Sequence, residues 1–84
     1  MTKELEEKIS EEIDIAYYKF QRNAQKLAKD KMDRLDEIQG QPNEVNDTLS
    51  CIMDFMFEQK NICNNLIIDI KSIQEKYEKE LSEN

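Results

Sequence analysis

The sequence predicts an all-α fold: two long antiparallel helices forming a helical hairpin, paired with a second copy into a dimeric four-helix bundle or coiled coil. Three observations carry that expectation. Apolar residues recur at helical spacing through both halves of the chain. One glycine and one proline, Gly40 and Pro42, sit almost together at its centre. Charged residues are 37% of the sequence against 38% apolar, a combination that suits long helices rather than sheet. Disordered chains of similar charge lack such regular apolar spacing.

In the first half, Leu5, Ile9, Ile13, Ala16, Phe20, Ala24, Leu27, Leu35 and Ile38 follow a 4-4-3 spacing. This is an eleven-residue repeat in which Leu5, Ala16, Leu27 and Ile38 are equivalent and only Lys31 breaks the set. No glycine or proline interrupts positions 3–39, so one helix is expected there. The segment Gln39-Gly40-Gln41-Pro42-Asn43 then supplies the punctuation. Gly40 suits the left-handed residue that ends a helix, Pro42 a first-turn position, and Asn43 an N-cap. A turn over 40–43 between two long amphipathic helices implies an antiparallel hairpin, with facing residues whose numbers sum to about 82.

The second helix is expected over 44–80. Its apolar residues Val45, Leu49, Ile52, Met56, Cys63, Leu66, Ile70, Ile73 and Tyr77 form a heptad seam interrupted at Gln59. Around its middle the apolar surface spreads to Met53, Phe55, Phe57, Ile62, Ile67 and Ile68, which one narrow partner helix cannot cover. Met53, Phe55, Met56, Phe57, Ile62, Ile67 and Ile68 are therefore the candidate protein-interaction residues, because methionine and aromatic side chains bury large areas and adapt in shape. Phe57 and Ile68 lie on the far side from the seam, and Ile15, Tyr17 and Tyr18 widen the first helix similarly. Eighty-four residues make one small domain, a size at which a lone core is marginal, so a homo-oligomer is expected, a dimer first.

Charge agrees with this folding. Lys19, Arg22, Lys26, Lys29, Lys31 and Arg34 make the middle of the first helix basic, and a reversal near 41 sets them beside Asp47, Asp54 and Glu58. The acidic start, including Glu4, Glu7, Glu11 and Glu12, then lies beside Lys71, Lys76 and Lys79. Exposed pairs of this kind are worth about 0–1 kcal/mol each, so they select register more than they stabilise.

Several function classes are disfavoured. A net charge of −7 opposes direct nucleic-acid binding, which basic patches drive. No apolar run approaches the roughly 18 residues of a membrane span, and the acidic N-terminus lacks a signal-peptide core, so a cytoplasmic protein is expected. Cys51 and Cys63 are twelve residues apart on one helix, about 18 Å at the helical rise, too far to bond within the chain. Cys63 reads as a seam residue and Cys51 as a flank residue, with a bridge between two copies as the alternative. There is no histidine, no cysteine pair suited to zinc and no glycine-rich phosphate loop, so no metal, no cofactor and no enzymatic activity are expected. Carboxylate pairs such as Glu7 with Glu11, or Asp30 with Asp33, read as a solvated charged face.

The run Ser50-Cys51-Ile52-Met53-Asp54 has the outline Ser-x-x-Leu/Met-Asp and resembles the signature of the small sporulation aspartyl-phosphate phosphatases. Those are helical hairpins of similar length, and the resemblance implies that Ser50 and Asp54 would face a response regulator. The plainer reading is that Ser50 and Asp54 are exposed neighbours in the first turns of the second helix, where the dipole favours acidic residues. The leading functional expectation is a non-enzymatic protein-binding module: an adaptor, chaperone or inhibitor acting through an oligomeric bundle. Its content of Lys, Glu, Asn and Ile is that of many bacterial or phage-encoded regulators. Besides the phosphatase-like alternative, an acidic nucleic-acid mimic and a secretion-apparatus subunit remain open.

Overall fold

The computed structural model describes residues 1–83. It contains α1 (Lys3–Ile38), α2 (Glu44–Lys76) and a short α3 (Glu78–Ser82), with no strand among the described residues. The two long helices pack against each other as an extended all-α hairpin measuring 62 × 16 × 13 Å between Cα atoms.

The start of α1 is fixed by Thr2, whose extended backbone lets its Oγ1 accept from the Leu5 amide at 3.2 Å. Glu4 and Glu6 follow in the first turn, where they meet the positive end of the helix dipole. At the other end Gln39 leaves the helix and Gly40 turns left-handed at φ 77°, a conformation that only glycine adopts without steric cost. The reversal is closed by the Gln41 amide donating to Ile38 O at 3.0 Å and the Glu44 amide donating to Gln41 O at 3.1 Å. Asn43 takes the N-cap position of α2, yet its side chain makes no capping bond. Glu44 instead reaches back, its Oε1 accepting from the Gly40 amide at 3.4 Å.

The expected single helix over 44–80 is divided at Tyr77. There φ −111° and ψ 18° place the backbone in the bridge region, and the chain restarts as α3 at Glu78. No glycine or proline lies near the division. Tyr77 itself is buried, so the break coincides with the last large side chain that α2 lays against α1.

Among the described residues the buried apolar side chains are Ile9, Ala16, Ile38, Cys51 and Tyr77. In α1 the inward row follows the eleven-residue repeat, with Leu5, Phe20, Ala24, Leu27 and Leu35 half-buried between the buried positions; Ile13, expected in the same row, is exposed instead. Lys31, the apparent break, belongs to that row: it is half-buried, its stem lies beside Ala28 and Leu35, and its ammonium reaches Glu58 at 3.2 Å. In α2 the inward row is Thr48, Cys51, Phe55, Ile62, Leu66, Asp69, Ile73 and Tyr77. This differs from the expected seam, whose first four members, Val45, Leu49, Ile52 and Met56, are exposed.

Register follows the expected value at the backbone and departs from it at the side chains. Cys51 Sγ lies 3.9 Å from the Lys31 carbonyl oxygen, a pair summing to 82. The ion pairs Lys31–Glu58 at 3.2 Å, Lys19–Asp69 at 3.8 Å and Lys76–Glu12 at 2.6 Å sum instead to 89, 88 and 88. Side chains lean toward the N-terminus of their own helix, so in an antiparallel pair they lean toward each other along the axis. Partners therefore sit farther apart in number than the backbones that carry them.

Candidate protein-interaction surfaces

Because α1 and α2 touch along one row each, the hairpin has two open sides and an outer edge on each helix. The two sides differ in chemistry. One is polar. Near the turn it is a shallow cleft lined by Asp30, Lys31, Arg34, Asp47, Ser50, Cys51 and Asp54. Toward the open end it continues through Lys19, Asn23, Asn65 and Asp69 to Ser72, with the exposed Ile15 beside them.

The opposite side is apolar. Its centre is a groove of about 170 Å³ lined by Ala28, Met32, Leu35, Cys51, Ile52 and Phe55 with the stem of Lys31. Positions three and four apart share a helix face. From this groove the α1 face continues along Ile13, Tyr17, Phe20, Ala24, Ala28, Met32 and Leu35, and the α2 face along Leu49, Ile52, Met56, Gln59, Cys63, Ile67 and Ile70. Neither row contains a charged residue. Along it Ile13, Tyr17, Met32, Leu49, Ile52, Met56 and Ile67 are all exposed. The heptad pattern of α2 is real, but its first half, Val45, Leu49, Ile52 and Met56, stays exposed, whereas Cys63, Leu66, Ile70, Ile73 and Tyr77 are half-buried or buried.

The structure thus divides the candidate interaction residues among three environments. Phe55 and Ile62 are half-buried on the row that packs on α1. Met56 and Ile67 lie on the apolar side. Met53, Phe57 and Ile68 stand on the outer edge of α2, spaced by four and eleven residues, and all three are exposed. Ile15 and Tyr18 are exposed on α1. The turn residues Gly40, Pro42 and Asn43 form the tip. Of the cysteines, both free, Cys51 is the buried inward residue and Cys63 the half-buried flank residue, the reverse of the expectation. Met32 was given no role by the sequence reading, although the spacing Ala24-Ala28-Met32-Leu35 carried the signal.

A polar cluster at the open end was also missed. Lys76 Nζ bonds Glu12 Oε1 at 2.6 Å and lies 5.3 Å from the centre of the Tyr77 ring. The Tyr77 hydroxyl and Glu12 Oε2 are shielded from solvent and neither has a partner in good hydrogen-bond geometry. They nonetheless act on each other. The Lys76 hydrogen bond, then the Tyr77 hydroxyl, hold the Glu12 carboxyl below its ordinary value. Glu12 in turn pushes the Lys76 ammonium up, and together with desolvation it pushes the Tyr77 hydroxyl up. This cluster clamps the division in α2 against α1.

Among the described residues no helix is long and apolar enough to cross a membrane, and no group of three or more Cys, Asp or Glu side chains is placed to hold a metal ion. The fold and its surfaces define a class, an extended all-α hairpin with one polar and one apolar side. In comparison with known proteins, no family model matches the chain, and no curated protein or solved structure matches it.

Proposed function

We propose that the chain is a non-enzymatic helical module that works by binding another protein, as an adaptor, chaperone or inhibitor, from within an oligomeric coiled-coil bundle. The observation that carries this reading is the outer ridge of α2. Met53, Phe57 and Ile68 project large apolar side chains on an edge that α1 does not reach. Burying one such side chain is worth about 1.5–3 kcal/mol, and Met53 and Phe57 one turn apart, with Ile68 three turns further on, offer several along one edge. The test is capture from cells that make the protein, comparing wild type with Phe57→Glu. A specific partner retained by wild type and lost by the variant is expected; equal capture by both removes the ridge from the account.

One observation favours a second reading. Ser50 and Asp54 of the phosphatase-like signature line one polar cleft together. Under that reading Asp54→Ala abolishes dephosphorylation of a response regulator, and under the leading one it changes nothing.

A further inference from the structure

We infer that the apolar side of the hairpin is the docking face for a second copy of this chain, separate from the outer ridge of α2. The inference rests on the oligomeric reading above and names the surface that makes the oligomer.

Four features fit a second copy. The first is need: a hairpin whose buried apolar side chains are Ile9, Ala16, Ile38, Cys51 and Tyr77 has a thin core for its length, and chains this small depend on further burial. The second is area. From Ile13 to Leu35 the band is about 33 Å long and two helices, roughly 20 Å, wide. Two such faces bury on the order of 1,300 Å² together, within the range of stable specific interfaces. The third is the absence of charge along both rows, so that docking desolvates no ion. Lys31 touches the groove, but its ammonium is already committed to Glu58 at 3.2 Å. The fourth is relief: Ala24 and Ala28 are followed by Met32 along α1, and Ile52 stands across the groove, so large side chains of one copy can meet small ones of the other. A second copy supplies the same relief, the same uncharged band and a matching length. The outer ridge stays outside this interface.

Three methionines report on the arrangement without any mutation. Met32, Met53 and Met56 are 66%, 59% and 59% exposed in the single hairpin, so an isolated copy oxidises at all three with similar rates. Met32 and Met56 lie on the apolar side and Met53 on the ridge. The experiment is a timed exposure of the pure protein to hydrogen peroxide, with mass-spectrometric readout at each methionine and circular dichroism in parallel, at high and low protein concentration. At high concentration Met32 and Met56 are expected to react at least ten-fold more slowly than Met53. On dilution they approach its rate, and any loss of helix accompanies that approach. Equal rates at all three in fully helical protein at high concentration overturn the inference, as does protection of Met53 with Met32 and Met56 left reactive. Neither result touches Phe57-dependent capture, so failure of the docking face and failure of the proposed function are told apart.

Discussion

The seam between α1 and α2 and the apolar side beside it are built from the same residue types but do different work. The seam encloses Ile9, Ala16, Ile38, Cys51 and Tyr77 and half-covers Phe55, Ile62, Leu66 and Ile73. The apolar side carries Met32, Ile52, Met56, Tyr17 and Ile67 and leaves them open. A two-helix contact covers one row on each helix, and α2 has two apolar rows. Only one of them packs within the chain, so folding of the hairpin and completion of its hydrophobic surface are separate events.

Changes in the seam should therefore act on the hairpin itself. Ile38, 2% exposed, is the most enclosed side chain, and Ile38→Ala is expected to cost about 2–5 kcal/mol in chemical denaturation at fixed protein concentration. A cost below about 0.5 kcal/mol would mean that the turn end contributes no packing. The smallest expected effect is at the open end, through pH. Glu12 titrates below its ordinary value of 4.5 in the folded protein, so its contribution is present above that value and is lost as pH falls through the lowered one. Lys76 and Tyr77 titrate above their ordinary values, so their contributions are present below those values and fade as strongly alkaline pH passes through the raised ones. Urea midpoints taken from pH 6 downward should fall more steeply for wild type than for Glu12→Gln. Parallel curves would show that the Lys76 clamp does not couple to folding.

Much of the hairpin was legible from the chain. The eleven-residue repeat gave the inward face of α1, and Gly40 gave the reversal through its need for positive φ. The assignment of α2 went astray for a physical reason. Periodicity reports that an apolar row exists, not which neighbour covers it, and α1 leaves open the first half of the α2 heptad, Val45 to Met56, while covering its second half. Lys31 looked like a gap in a row because its charge was counted and its four-carbon stem was not. The division at Tyr77 had no punctuation to announce it, since the neighbouring residues, Glu75, Lys76, Glu78 and Lys79, are all good helix formers. The Glu12, Lys76 and Tyr77 cluster depends on the lean of side chains across an antiparallel pair, which spacing along one helix does not reveal.

Met56 and Phe57 are neighbours in sequence and equally exposed in the hairpin, at 59% and 62%, yet they belong to different surfaces. Sedimentation equilibrium under reducing conditions on wild type, Met56→Glu and Phe57→Glu tests that separation most directly. The account predicts a dimeric wild type, a dimeric Phe57→Glu, and a Met56→Glu whose dissociation constant rises at least about 100-fold, equivalent to about 2.7 kcal/mol. A fully helical wild-type monomer, or a dimer broken by Phe57→Glu and untouched by Met56→Glu, would contradict it.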